Sequence, residues 1–306
     1  MSEWDGQAQG VTERSAKLRA FFARYVAAAG SARDPRIEQA FAAVPREPFA
    51  GPAPWFIKVL DGGYVQTPDD DPAFLYQNTL VALDHDRGIN IGEPSLHARC
   101  LDALALQDGE TVLHVGAGAG YYTAILAHLV GPGGRVVAYE INPGLAVRAA
   151  RNLTHLPWVE VQACSGIADT LPKTDAVYVN AAITQPSWAW LDALRPGGRL
   201  SFPLHAVGGF GGMLQVERPR AGVAWPARFV SPAGFIACEG RQDDEAGRRL
   251  ATAFAGGGWR AVSSLRLDGE PDQTCWFAGD DWWLSTIAAE EAQSPATEGA
   301  TTPKPP

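Results

Sequence analysis

Three glycines spaced two apart, Gly116, Gly118 and Gly120, follow the apolar run Thr111–Val115 and precede the pair Tyr121–Tyr122. Glycine lets a chain turn tightly and brings its backbone close to a ligand at the start of a helix. Glu140 ends the next apolar run, 20 residues after Gly120. An acid there can accept both hydroxyls of a ribose. Two nucleotide classes compete for such a turn. A dinucleotide fold uses G-x-G-x-x-G, whereas the spacing here is G-x-G-x-G, with Tyr121 in the place of the third dinucleotide glycine. The spacing favours S-adenosylmethionine (SAM). A turn needed only for strand-to-helix packing would carry the same glycines, but the strand, helix and acid in this order argue for the ligand.

Methyl transfer from SAM is an in-line displacement at carbon, and alignment of the partners supplies roughly 7–11 kcal/mol of such a barrier. A carboxylate acceptor is ionised at neutral pH and needs no base, while an alcohol or amine wants one. Glu93, His97 and His114 are the candidates near the methyl end. Each also has a plain structural reading: a helix cap for Glu93, a core or cap histidine for His97, and a hydrogen-bonded strand residue for His114. Asn180 closes the apolar run "DAVYVN" on the carboxyl edge, where such sheets bind ligands.

The elements around these residues follow from periodicity. Residues 12–29 read as an amphipathic helix capped by Thr12, ended by Gly30, with Leu18, Phe21, Phe22, Tyr25 and Val26 on one side. A second helix follows Asp34 and Pro35 up to Val44. The proline-rich "PREPFAGPAPW" is extended or turned, and residues 61–79 form a long loop. Ser95–Leu106 is helical by spacing. "TVLHV", "RVVAYE", "VEVQA" and "DAVYVNA" are strands alternating with helices, which argues a parallel sheet covered on both faces. "RPGGRLSFPL" leads into another strand and "GGMLQVERP" is one more. Residues 243–255 read as a polar helix, and "AVSSLRL" and "TCWFAGDDWWLS" as two late strands. The aromatics Trp55, Phe56, Tyr64, Phe74 and Tyr76 either wall a substrate or staple the long loop down. "PDDDP", residues 68–72, reads as a solvated turn.

Thr111–Leu204, with the late turn and strand "DALRPGGRLSFPL", resembles a class I SAM-dependent methyltransferase, and three further stretches make the resemblance more specific. "AFAAVPREPF", "INIGEPSLHARCLDAL" and "DAVYVNAAITQP" are similar, in this order, to elements of the protein-L-isoaspartate O-methyltransferase family. The resemblance covers roughly residues 35–240. It implies a Rossmann-like α/β sheet with helices on both faces, SAM as cofactor, and a carboxylate of a protein or peptide as methyl acceptor. Four places depart from the family pattern. His114 stands where an acid usually precedes the glycines. Gly92 stands where the family has a serine beside the methyl-transfer site, with Ser95 three residues on. "QACSGIAD" replaces the usual Gly-Asp-Gly, putting Cys164 or Ser165 near the adenine. "LDHDRGINIGEP" replaces the usual approach segment. The expected sites are thus Glu93, Ser95 and Asn180 for catalysis, and His114, Gly116, Gly118, Gly120, Tyr121, Glu140, Ile141 and Cys164 for the cofactor, with no metal. A small-molecule or natural-product methyltransferase and a degenerate SAM-binding scaffold remain as alternatives.

The organisation expected is a helical N-terminal segment with covering loops (1–85), a SAM-binding core (86–240), a C-terminal α+β extension (241–292) and a disordered tail (293–306). A net charge of -9 disfavours a phosphate backbone as partner. No apolar run reaches the roughly 20 residues of a membrane span. The four cysteines are far apart and form no CxxC pair, so reduced thiols and a cytoplasmic protein are expected. The oligomeric state is left open.

Overall fold

The computed structural model describes residues 3–59, 62–168, 170–206, 209–238 and 244–292; the expected tail, 293–306, lies outside them. The N-terminal part holds α1 (Glu3–Ala29), α2 (Pro35–Ala43), α3 (Glu47–Ala50) and two small hairpins, β1 (Phe56–Lys58) with β2 (Tyr64–Gln66) and β3 (Ala82–Asp84) with β4 (Ile89–Asn90). There follow α4 (Pro94–Leu104), β5 (Thr111–Val115), α5 (Tyr121–Val130), β6 (Arg135–Tyr139), α6 (Pro143–Asn152), β7 (Val159–Gln162) and β8 (Thr174–Val179). The remainder is α7 (Trp188–Ala193), β9 (Leu194–Leu204), β10 (Gly211–Glu217), β11 (Ala224–Ala233), α8 (Asp244–Ala255), β12 (Ser264–Arg266), β13 (Cys275–Ala278), β14 (Trp283–Ser285) and α9 (Ala289–Ala292).

A ten-stranded sheet runs in the order β13-β14-β12-β11-β10-β9-β8-β5-β6-β7. The pairs from β9 through β8, β5 and β6 to β7 are parallel, and those from β9 outward to β13 are antiparallel. Both faces of the parallel half are buried, as crossover helices require. Along β5 and β8 the side chains alternate between two cores. Val112, Ala176 and Tyr178 join the helices α1, α2, α4 and α5 on one face, while Leu113, Val115, Val177 and Val179 join Trp190, Phe202 and the late strands on the other. Strands β12 to β14 continue this same sheet through the β11–β12 pairing.

Several expectations change. Helix α1 starts well before Thr12: the stretch ahead of it holds no proline, and Gly6 and Gly10 are carried within the helix. Its buried stripe is Phe22, Ala23, Val26 and Ala27, whereas Phe21 and Tyr25 are exposed and stack on each other outside. "PREPF" forms the single turn α3, with Pro48 in its first turn. "TCWFAGDDWWLS" splits into the β13–β14 hairpin, turning at residues 279–282. Strand β11 has no counterpart in the expected list, since Pro226 and Pro232 disguise it; Pro226 nonetheless pairs with Ser264.

Candidate functional site

The glycine turn is built as its spacing implies. Gly116, Gly118 and Gly120 have φ of 78°, 58° and 95°, a region that favours glycine. A Cβ on Gly118 would meet Leu83 Cδ1 at 3.2 Å, and one on Gly116 would meet the Asn180 backbone at 3.4 Å. The loop N–H groups are engaged within the fold. Gly116 and Ala117 donate to Tyr139 O at 2.9 and 3.1 Å, Gly120 to Ala117 O at 2.9 Å, and Gly118 to Glu140 Oε2 at 2.6 Å. A pyrophosphate would need such donors free, so this turn offers close approach without an anion cradle. That matches a nucleoside carrying a positive charge better than a dinucleotide.

Glu140 is buried and its Oε1 accepts from Asn142 N at 2.9 Å, which ties the turn to the start of α6. A carboxylate oxygen can accept more than one hydrogen bond, the property that recognition of a ribose hydroxyl would use. Ile141 follows with 48% of its surface exposed, an apolar side chain beside the expected nucleoside. Cys164 is an exposed free thiol past the end of β7.

His114 is fully buried on β5. Its Nδ1 lies 2.8 Å from Thr123 Oγ1 and its Nε2 2.8 Å from Asn180 Nδ2. Burial pushes its pKa down to about 3, so the ring is neutral: Nε2 accepts from the amide and Nδ1–H donates to the hydroxyl. The Asn180 Oδ1 is then a buried acceptor with no partner among the described residues. A buried acceptor of this kind calls for a donor from outside the chain, a ligand or a water.

A cleft of about 690 Å³ joins the turn to α4. Gly116, Gly118, Tyr121, Glu93, Ser95 and Asn180 all line it. Glu93 caps α4 by position only; its Oε1 accepts from Ser95 Oγ at 2.6 Å and from Asn78 Nδ2 at 3.0 Å. Asn78 also donates to Ser95 Oγ at 3.0 Å and accepts from Ser95 N at 2.8 Å. The three side chains form one closed network, of which Glu93 and Ser95 line the cleft. Gly92 has φ of 90° and a Cβ there would run into the His97 imidazole. His97 stacks on Tyr122 with ring centroids 3.6 Å apart and holds Tyr178 Oη at 2.7 Å through Nδ1. Its pKa lies well below the ordinary value, chiefly through burial and then through the charges of His114 and Arg46. His97 and His114 are thus both neutral, each tied into the fold through Nδ1.

The cleft does not extend to Glu140, Ile141 or Cys164. Nor do Trp55, Phe56, Tyr64, Phe74 and Tyr76 line it. Tyr76 packs edge-on against Phe22 and donates to Glu47 Oε2 at 2.7 Å, and Phe56 sits against His85. These aromatics staple the long loop. Tyr121 packs edge-on against Phe41 and Phe49, under the buried Arg46 guanidinium. Asp71 of "PDDDP" caps a short turn and pairs with Arg14 at 2.9 Å. Residues absent from the expected site are Phe210 and the segment 231–236, which line the cleft, and Asn78, which bonds Glu93 and Ser95 from behind it; Phe235 of that segment meets His97 of α4 edge-on. No local signal marks that segment; its place depends on the β10–β11 pairing.

The sequence pattern of the family "Protein-L-isoaspartate(D-aspartate) O-methyltransferase (PCMT)" matches residues 20–224. A protein-L-isoaspartate O-methyltransferase of Aeropyrum pernix is 33% identical over 207 residues, covering 66% of this chain and 71% of its own. One of Rhodopseudomonas palustris is 32% identical over 189 residues, covering 60% and 77%. Among solved structures, a protein-L-isoaspartate O-methyltransferase superposes with a TM-score of 0.57 at 21% identity, over 78% of this chain and 69% of that one. A putative one from Plasmodium falciparum, solved with S-adenosyl-L-homocysteine (SAH), gives 0.56 at 18% identity over 72% and 98%. At these identities the structures speak for the shared fold.

Proposed function

The chain belongs to the protein-L-isoaspartate O-methyltransferase family and is with it a SAM-dependent methyltransferase, and on that premise we propose that it methylates the carboxylate of an isoaspartyl residue in a protein or peptide. The observation that carries this reading is the single cleft in which the glycine turn meets Glu93, Ser95 and Asn180.

The residues present fit SAM. Gly116 and Gly118 leave room for close approach, Glu140 holds the ribose hydroxyls, and Ile141 and Cys164 flank the adenine. The Asn180 Oδ1, kept acceptor-only by the Nδ2–His114 bond, takes the ammonium of the methionine part. SAM supplies a methyl group on a positively charged sulfur, already activated toward an anionic oxygen. A carboxylate acceptor arrives ionised, so the chain's task is to align it and keep water out. Ser95, fixed by Glu93 and Asn78, shapes the acceptor wall, and the His97–Tyr122 stack closes it from beneath.

A second reading, methylation of a small-molecule alcohol or amine, is favoured by one observation: Glu93, a carboxylate, stands on the acceptor wall and could take a proton. The four free thiols fit a reducing compartment such as the cytoplasm. No helix among the described residues is long and apolar enough to cross a membrane.

The test pairs calorimetric titration with SAM and tritiated-methyl transfer to an isoaspartyl peptide and its aspartyl twin. Base-labile label on the isoaspartyl peptide alone is the expected result. SAM binding without label on either peptide overturns the acceptor and favours the small-molecule reading.

A further inference from the structure

Arg99 lies on α4, four residues beyond Ser95, and lines the same cleft. Residues four apart share a helix face, one turn or about 5.4 Å along the axis. Among the described residues no hydrogen bond or ion pair engages its guanidinium. Arg14, Arg36, Arg135, Arg195, Arg199 and Arg266 are each paired with a carboxylate. Arg24, Arg151, Arg220 and Arg248, which have no such pair, are exposed. Arg46 is buried with Nε and Nη2 unpartnered, but it sits over the Phe22 and Tyr121 rings and does not line the cleft; Arg99 is the arginine that lines the cleft, partly buried and without a partner among the described residues. In a chain of net charge -9 an unpaired cation facing a pocket is not a general electrostatic background.

We infer that Arg99 is a specificity-determining residue that binds the side-chain carboxylate of an acidic residue flanking the methylated one. The inference rests on the acceptor being an isoaspartyl peptide. An extended peptide advances about 3.3–3.6 Å per residue, so the turn separating Arg99 from Ser95 corresponds to about two residues. The flanking acid therefore stands within about two residues of the isoaspartyl position. A guanidinium offers a carboxylate two parallel N–H donors, and partial burial strengthens the pair relative to a surface contact. A lysine at the flank would be repelled by the same charge.

The experiment uses the SAH-loaded full chain and fluorescent, end-blocked isoaspartyl peptides with Glu, Ala or Lys at each position within two residues of the isoaspartyl site. Anisotropy gives affinity, and tritiated-methyl transfer from SAM gives kcat/KM. About tenfold tighter binding of one Glu peptide over its Ala twin is expected at low salt. In Arg99→Ala that ratio falls to about one, in Arg99→Lys part of it returns, and in Arg99→Glu the Lys peptide becomes the preferred one. SAH affinity reports that each variant is folded. A Glu-to-Ala ratio equal in the native chain and Arg99→Ala overturns the inference. Absence of transfer to every peptide overturns the acceptor reading instead, and the binding ratios still decide the role of Arg99.

Discussion

Asn180 Nδ2 lies 2.8 Å from His114 Nε2, and the other end of the same amide, Oδ1, is buried without a partner. The histidine therefore does not replace the family's acid as a charge. It holds the Nδ2 end of Asn180, which leaves Oδ1 as the acceptor for the ammonium in the proposed binding of SAM. Asn180→Leu is expected to lower SAM affinity about 10- to 100-fold, the loss of one charge-assisted hydrogen bond. Binding of methylthioadenosine, which has no ammonium, is expected to stay unchanged. Calorimetry with both ligands checks this; an equal loss for both would remove the ammonium role.

Glu140 serves two masters, the Gly118 N–H at 2.6 Å and the Asn142 N–H at 2.9 Å, before any ligand arrives. Glu140→Ala leaves both donors short of their acceptor, so it should cost about 1–3 kcal/mol of stability as well as SAM affinity. Glu140→Gln keeps one amide oxygen and should recover much of the stability while still binding SAM more weakly. Urea unfolding and calorimetry on both variants separate the scaffold role from the ribose role. Native-like SAM affinity in Glu140→Ala would sink the latter.

Gly118→Val meets two obstacles. A φ of 58° strains a β-branched residue by about 1–3 kcal/mol, and its Cβ would press on Leu83 Cδ1 at 3.2 Å. The turn would also lose its close approach to the nucleoside. Loss of detectable SAM binding with only a modest drop in Tm is expected. Retained affinity would mean that the nucleoside does not pass over this glycine.

The parallel half of the sheet was readable because its rules are local. Val112 to Val115 and Ala176 to Val179 alternate between two cores, and glycine and acid mark the turns between strand and helix. The site was readable as far as it sits on those turns: Glu93, Ser95 and Asn180 share a cleft with Gly116 and Gly118. What was hidden depends on distant pairing. Pro226 and Pro232 mask β11, whose end supplies the far wall, and Asn78 reaches Glu93 from a loop with no pattern of its own. The aromatic loop residues carry apolar surface that could serve a wall or a core equally well, and only packing against Phe22 and α3 decides it.

Buried imidazoles also set the response to acid. His97, His114 and His205 all have pKa values lowered by burial. His205 Nε2 accepts from Phe235 N at 2.9 Å, so it clamps the far wall of the cleft only while that nitrogen is unprotonated. With a folded pKa below the unfolded one, the unfolded chain binds more protons between the two, and stability falls as pH drops. The contribution is whole above about pH 6.5. It decreases below that, for His114 down to about 3, at about 1.4 kcal/mol per pH unit for each histidine still neutral in the fold. Urea unfolding at pH 7.5 and at about pH 5 checks this slope; equal stability at both would contradict it.

Gly92 and His97 are coupled through space. A Cβ at Gly92 would enter the His97 imidazole, and the φ of 90° already disfavours any side chain there. Gly92→Ser, which restores the family's residue type, is therefore expected to destabilise the chain by about 2–4 kcal/mol rather than to restore activity. His97→Ala also costs stability, since it removes the stack on Tyr122 and the bond to Tyr178. The double variant should lose about 1–2 kcal/mol less than the two single losses added, because the overlap disappears once the imidazole is gone. A double-mutant cycle by urea unfolding measures this difference. Strict additivity would show that backbone strain alone excludes serine, and that His97 has no part in keeping Gly92 a glycine.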